Sequence, residues 1–283
     1  MRNIISLLRL LRIHNCLIAG VGVWLGGYLS GLQGNEYKLL LASVAASLVC
    51  GAGNALNDYL DIEVDRINHP KRVLPSGRLD PYYAVVSMVV LNITAIGLSL
   101  IVNLWSLLVV LGAMGLLIIY NLRLKKMVLW GNLAVSFLSG ATFIAGAVVN
   151  SPSSVLEFPG PLVPAIFAFL FHFGRELIKD AADSKGDRGA QYRTLPSVIS
   201  SRIVTVVLIV NYLILIALTT CPILWEWYNS IYKSIVIYAV DIPMLMLLIY
   251  LVFSQNSKRL VISGHVLKVL MVFGLFAFIL GKQ

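Results

Sequence analysis

Nine stretches of mostly apolar residues run through this chain, at about 13–32, 39–57, 82–102, 104–120, 128–149, 161–179, 203–223, 231–253 and 262–281. Each is close to the roughly 20 residues that cross the hydrocarbon of a bilayer as an α-helix. Charged residues make up 12% of the chain and hydrophobic ones 59%, where soluble domains carry about 25% charged residues. Lipid is therefore part of the solvent, and the expected fold is an all-α, polytopic membrane protein with nine transmembrane helices. The junction at 102–104 is the tightest, with Asn103 its one strong turn signal. The first stretch follows Arg2, Arg9 and Arg12, as the core of a signal peptide would. It has full span length and no small-x-small cleavage pattern, so it reads as a retained helix. Cys16, Cys50 and Cys221 lie in or at the ends of spans, with neither the number nor the spacing of a metal site or disulfide framework.

The net charge of +9 needs no nucleic acid partner, because its placement follows the membrane. With the N-terminus cytoplasmic, nine spans put 19 of the 22 basic residues inside and leave Lys38, Lys233 and Lys282 outside. That asymmetry is a positive-inside pattern and predicts an external C-terminus.

Eight of the 13 acidic residues fall in two short runs at the inner ends of spans two and six. Asn54-Ala-Leu-Asn57-Asp58-Tyr-Leu-Asp61-Ile-Glu-Val-Asp65 is matched by Glu176-Leu-Ile-Lys179-Asp180-Ala-Ala-Asp183-Ser-Lys-Gly-Asp187. In both, the aspartates are spaced three then four. Arg72-Val-Leu-Pro75-Ser76 is echoed by Arg193-Thr-Leu-Pro196-Ser197. The chain thus reads as one membrane domain, 1–283, with motifs at 54–77 and 176–197, in two pseudo-repeated halves around a site on the cytoplasmic side.

Residues at i, i+3 and i+7 share one helix face, so each motif offers a ladder of carboxylates. Acids near hydrocarbon are costly and usually serve a cavity. Facing ladders of hard oxygen donors suit Mg2+, which binds through a few carboxylates together with substrate phosphates. Lys71, Arg72, Lys125, Lys126, Lys179 and Arg193 are available to clamp the phosphate oxygens. Glu63 lies off the ladder face and is expected in solvent, and Asp80 is expected to cap the next helix. The Gly53-Asn54 and Gly131-Asn132 pairs read as helix-packing sites.

The run from Asn57 to Gly77 resembles the first signature of the UbiA superfamily of intramembrane prenyltransferases, and Asp180–Asp187 resembles its second. The resemblance implies that Asn57, Asp61 and Asp65 from the first half, with Asp183 and Asp187 from the second, hold two Mg2+ ions bridging a prenyl diphosphate. Asp58 and Asp180 would bind metal or orient water and lysine. Asn54 joins the substrate-binding set, in which Arg72, Lys179 and Arg193 would hold phosphate, while Tyr120 would face the cation or orient the leaving group. An allylic cation calls for aromatic faces, for which Phe143, Phe167, Phe171 and Phe173 are candidates. Leu11-Arg12-Ile-His14-Asn15-Cys16, Tyr120-Asn-Leu-Arg-Leu-Lys125-Lys126 and Gly131–Gly140 look like the archaeal digeranylgeranylglyceryl phosphate synthase branch. That branch implies geranylgeranyl transfer to a glycerol phosphate lipid, with Arg12, Lys125 and Lys126 toward the acceptor and Asn15 in the substrate-binding set. An aromatic acceptor, as in quinone or haem side-chain attachment, and a divalent-cation transporter stay open at this point. The acids sit at one membrane face beside basic residues, which weighs against transport; Asp241 is the one clear acid inside a span.

Overall fold

The computed structural model describes all residues except Met1, Leu32, Gln33, 190–193, Ser254 and Gln255, with no side chain described for Arg2, Asn68, 185–189, Phe253 or Ser257. Among the described residues each apolar stretch is mostly helical. In order the helices are α1 (Arg2–Leu10), α2 (Ile13–Leu29), α3 (Glu36–Leu60), α4 (Ile62–Asn68), α5 (Pro81–Val102) and α6 (Leu104–Leu122). They continue with α7 (Trp130–Ala147), α8 (Leu162–Gly189), α9 (Leu195–Val198) and α10 (Ser201–Leu224). The last are α11 (Ser230–Ile235), α12 (Ile242–Phe253), joined to it by a π-helical turn over Val236–Asp241, and α13 (Ser257–Gly281).

Among the described residues, six helical segments are long and apolar enough to cross a membrane: Glu36–Leu60, Pro81–Val102, Leu104–Lys126, Ser201–Leu224, Ser230–Val252 and Lys258–Gly281. A seventh appears if α1 and α2, bent by 51° at their junction, count as one span. The sixth apolar stretch lies in α8, which carries Arg175, Glu176 and Lys179 where a lipid-facing helix is uncharged. Outward faces of the spanning helices are apolar, as on α5, where Ile93 is 65% exposed; in water such faces would be an aggregation liability, and in lipid they are the solvent contact.

The chain falls into two compact units, Met1–Leu124 with Ala141–Leu162, and Lys125–Gly140 with Val163–Gln283. In the first unit α3 is central, packed against α2, α5 and α6. Helices in lipid gain most from close backbone approach, so interfaces favour small residues. Gly26 of α2 lies so near the Phe143 carbonyl of α7 that a Cβ would collide with backbone, and Gly146 stands the same way to the Val23 carbonyl. Start signals behave as local chemistry predicts. Asp80 accepts from Tyr82 N at 2.8 Å with Pro81 opening α5, and Glu63 is exposed, paired with Arg66.

Asn103 alone separates α5 from α6. Its side-chain oxygen caps α6 at Ser106 N, 2.8 Å. Its amide nitrogen donates to the carbonyls of Val148 and Val149 at 3.0 and 3.1 Å.

The second unit buries Leu177, Leu208, Tyr212, Met244, Leu251 and Leu267 between α8, α10, α12 and α13. Asn211 of α10 donates to the Leu170 carbonyl of α8 at 2.9 Å, and Gly174 leaves room for the Tyr212 ring.

Candidate functional site

The first aspartate motif sits at the end of α3. Asp61 is the joint between α3 and α4, yet the i to i+4 pattern runs through it: Asp61 N donates to Asn57 O and Asp65 N to Asp61 O, at 3.0 and 2.7 Å. The expected ladder therefore survives a helix boundary. Asp58, Asp61 and Asp65 are all buried, at 3%, 9% and 3% exposure. Buried carboxylates are sustained only with partners, and each has one. Arg12 donates to Asp58 Oδ1, with its other terminal nitrogen 3.5 Å from Asn54 Oδ1. Arg72 Nη1 meets both oxygens of Asp65, at 2.7 and 2.6 Å, and lies 3.9 Å from Asp58. Asn57 Nδ2 donates to Asp61 Oδ2 at 2.8 Å and to Asn121 Oδ1 at 3.0 Å.

Arg12 reaches this cluster from an unusual backbone position. It is the residue at the bend between α1 and α2, in the left-handed region at φ 51°, ψ 58°, which costs a non-glycine residue of order 1–3 kcal/mol where it is not offset. Asn54 Nδ2 bonds to the Leu11 carbonyl at 3.0 Å, tying the same bend to α3. Asn15 is half-buried in the first turn of α2, where its N–H donates to the Arg12 carbonyl at 2.7 Å.

In the second unit, Asp180 accepts from Asn132 of α7 at 2.7 Å. Glu176, buried at 6% exposure, takes Arg175 at 2.9 Å and Lys179 at 3.1 Å. Asp180 and Asp183 are half-buried on α8. Asp187 lies in the part of α8 whose side chains are not described, and Arg193 lies outside the described residues. The paired Arg-x-Leu-Pro-Ser segments repeat one contact: Ser76 Oγ donates to Val73 O at 3.1 Å and Ser197 Oγ to Thr194 O at 2.7 Å, both three residues back.

The structure thus gathers Arg12, Asn54, Asn57, Asp58, Asp61, Asp65 and Arg72 into one cluster, and Lys179 with Glu176 beside Asp180 into another. Tyr120 is half-buried on α6, while Lys125 and Lys126 lie in a single 3-10 turn, Leu124–Lys126. Of the four phenylalanines considered for a cation pocket, Phe171 packs edge-on against Tyr212 at 6.4 Å, and Phe143 is buried where α2 crosses α7. Two members were not anticipated as site residues. Asn121 follows the noted Tyr120, and Asn132 had read as a packing residue; each instead bonds to an aspartate-motif side chain.

Among the described residues no three His, Cys, Asp or Glu side chains come together as a group that could by itself hold a metal ion. The donor set itself fits a hard divalent cation. Burial pushes the Asp65 carboxyl above its ordinary value, opposed by the charge and hydrogen bonds of Arg72 and reinforced by Asp58 and Asp61. Carboxylates crowded this way gain from added positive charge, and their oxygens with Asn57 Oδ1 suit a cation that completes its shell on a substrate phosphate.

Residues 16–279 match the UbiA prenyltransferase family. A digeranylgeranylglyceryl phosphate synthase of Methanopyrus kandleri is 33% identical over 273 residues, covering 96% of this chain and 97% of its own. A solved structure concerned with digeranylgeranylglyceryl phosphate synthase in membranes superposes with a TM-score of 0.75 at 28% identity, covering 99% of both chains. A UbiA homolog from Archaeoglobus fulgidus bound to DMAPP and Mg2+ shares the fold at a TM-score of 0.66 and 14% identity, covering 96% of this chain and 99% of that one.

Proposed function

The chain belongs to the UbiA prenyltransferase family, and from that premise we propose that it transfers a geranylgeranyl group from its diphosphate to the sn-2 hydroxyl of geranylgeranylglyceryl phosphate. The product is digeranylgeranylglyceryl phosphate, with the second ether bond of an archaeal-type lipid. The observation that carries the donor half is the run of three buried aspartates, each already partnered, at the end of α3. Such a set can hold the divalent cations that a departing diphosphate needs, and has little use in a packing interface. The acceptor half is supported by similarity, end to end, to an enzyme of that name.

Two Mg2+ ions, when bound, would supply neutralisation of the charge on the leaving diphosphate. Asn57, Asp61 and Asp65 would hold them from the first unit, and Asp183 and Asp187 from the second, with Asp58 and Asp180 as further ligands or orienting groups. Arg72 and Lys179, each bonded to a carboxylate of its own unit, are assigned with Arg193 to phosphate oxygens, and Tyr120 to the leaving group or the allylic cation. Lys125 and Lys126 are assigned to the acceptor's phosphate, and Asn15 to the substrate-binding set. Arg12, bonded to Asp58 of the first motif, is assigned to the acceptor with the two lysines. The proposed topology keeps nine spans in one domain over 1–283, in two pseudo-repeated halves, with α1–α2, α7 and α8 completing the set. The N-terminus and both motifs lie on the cytoplasmic side of the cell membrane, with the C-terminus outside.

The test is an assay of the purified full chain with labelled geranylgeranyl diphosphate, offering geranylgeranylglyceryl phosphate or 4-hydroxybenzoate. Transfer to the glycerol lipid is expected, lost in EDTA and in Asp61→Ala or Asp183→Ala. Turnover that survives EDTA sinks the metal assignment. Prenylation of the aromatic acid alone sinks the acceptor assignment and leaves the prenyl transfer standing.

A further inference from the structure

We propose that Asn121 is a positioning residue that fixes the amide of Asn57 so that its carbonyl oxygen Oδ1 faces a divalent cation. This rests on the functional reading above and extends it to a residue outside both aspartate motifs. A backbone carbonyl can only accept. Leu117 O, one turn back on α6, takes a hydrogen bond of 2.9 Å from Asn121 Nδ2. The Asn121 amide therefore turns its NH2 toward its own helix and its Oδ1 away. An amide oxygen also only accepts, so the group 3.0 Å from it has to be a donor, and that group is Asn57 Nδ2.

The same nitrogen is 2.8 Å from Asp61 Oδ2, again an acceptor when ionised. Both hydrogens of the Asn57 amide are thus spoken for, by partners on two different helices, and the amide cannot reverse without losing both bonds. Asn57 Oδ1 is the end left over, carrying two lone pairs. Asn121 is 2% exposed, so water does not compete for its side of the contact. Without Asn121, Asn57 keeps one bond, to Asp61, and its amide is held at one point instead of two, so the direction of Oδ1 toward a cation is no longer fixed. Partners of this kind, behind the groups that touch a metal, typically change metal affinity by about 10–100-fold when removed.

The measurement is Mn2+ binding to the purified full chain, followed by electron paramagnetic resonance with inorganic diphosphate present, so that no turnover is needed. Asn121→Ala is expected to weaken Mn2+ about 10-fold. In an Asn57→Asp background the same change is expected to have little effect, because a carboxylate presents an oxygen in either orientation. Should Asn121→Ala fail to fold, Asn121→Ser, whose hydroxyl can bond Leu117 O but stops short of Asn57, is expected to show the same loss. Wild-type affinity in these variants, or an equal loss in both backgrounds, overturns the inference alone. Failure of the wild-type chain to bind Mn2+ at all overturns the functional reading with it.

Discussion

Arg12 and Asp58, 46 positions apart, are joined by a charge-assisted hydrogen bond from a residue in left-handed backbone conformation to a buried carboxylate. The bond connects the bend between α1 and α2 to the first aspartate motif. It also makes a basic residue near the N-terminus part of the site's charge balance as well as a topology signal.

Removing one partner of a buried ion pair costs about 3–5 kcal/mol because the other is left uncompensated. The Arg12 side chain is 25% exposed and Arg72 stands 3.9 Å from Asp58, so Arg12→Ala is expected to destabilise by a smaller amount, about 2–3 kcal/mol. Adding Asp58→Asn should recover part of that loss, since the stranded charge is gone. Thermal unfolding in detergent reads both. An Arg12→Ala protein as stable as wild type would mean the pair contributes nothing.

Glycine substitutions separate crossing points from lipid-facing positions. Gly26→Ala and Gly146→Ala each place a methyl against backbone carbonyls, and each is expected to cost about 1–3 kcal/mol. At Gly97 and Gly112 a Cβ meets nothing within 4 Å, so alanine there should gain up to about 1 kcal/mol of helix propensity. Equal effects at all four positions would dissolve the α2–α7 contact as a determinant of stability.

Neutralising Lys125 and Lys126 together is expected to raise the KM for geranylgeranylglyceryl phosphate about tenfold or more, the scale of one charged hydrogen bond. The donor KM should change little, because binding energy specific to one substrate is lost. Equal weakening of both substrates would place the lysines on the donor diphosphate. Lower membrane insertion with both KM values unchanged would make them anchors only.

A reporter fused after Gln283 is expected on the external face, from the distribution of basic residues and an odd number of spans. A cytoplasmic readout would remove or add one span, and α7 and α8, absent from the six helices of sufficient length and apolarity, would be the first to reconsider.

What the sequence made legible was local. The Asp80 cap, the solvated Glu63, and the common face of Asp58, Asp61 and Asp65 follow from spacing and side-chain chemistry within a turn or two. What it hid was pairing at a distance. Arg12 carries no mark of its partner 46 residues on, and a basic residue there is equally explained by topology. The pairing of Lys179 with Glu176 is local by contrast, three residues back on α8. Asn132 and Asn121 were harder still. An asparagine at the end of an apolar helix serves packing, capping or recognition with the same amide, and only the partner across the helix interface decides which. The break at Asp61 left no trace because the hydrogen-bond register continues through it.

Asn103 carries a consequence for how the chain is made. The α5–α6 hairpin has a connector of one residue, and synthesis delivers both helices before the carbonyls of Val148 and Val149, 45 and 46 residues downstream, exist to receive the Asn103 amide. The turn is therefore born capped on one side only, toward Ser106, and its second clasp closes when α7 has followed. A chain truncated shortly after Leu122 and released would hold the hairpin without that clasp, and α7 is the element that ends its freedom.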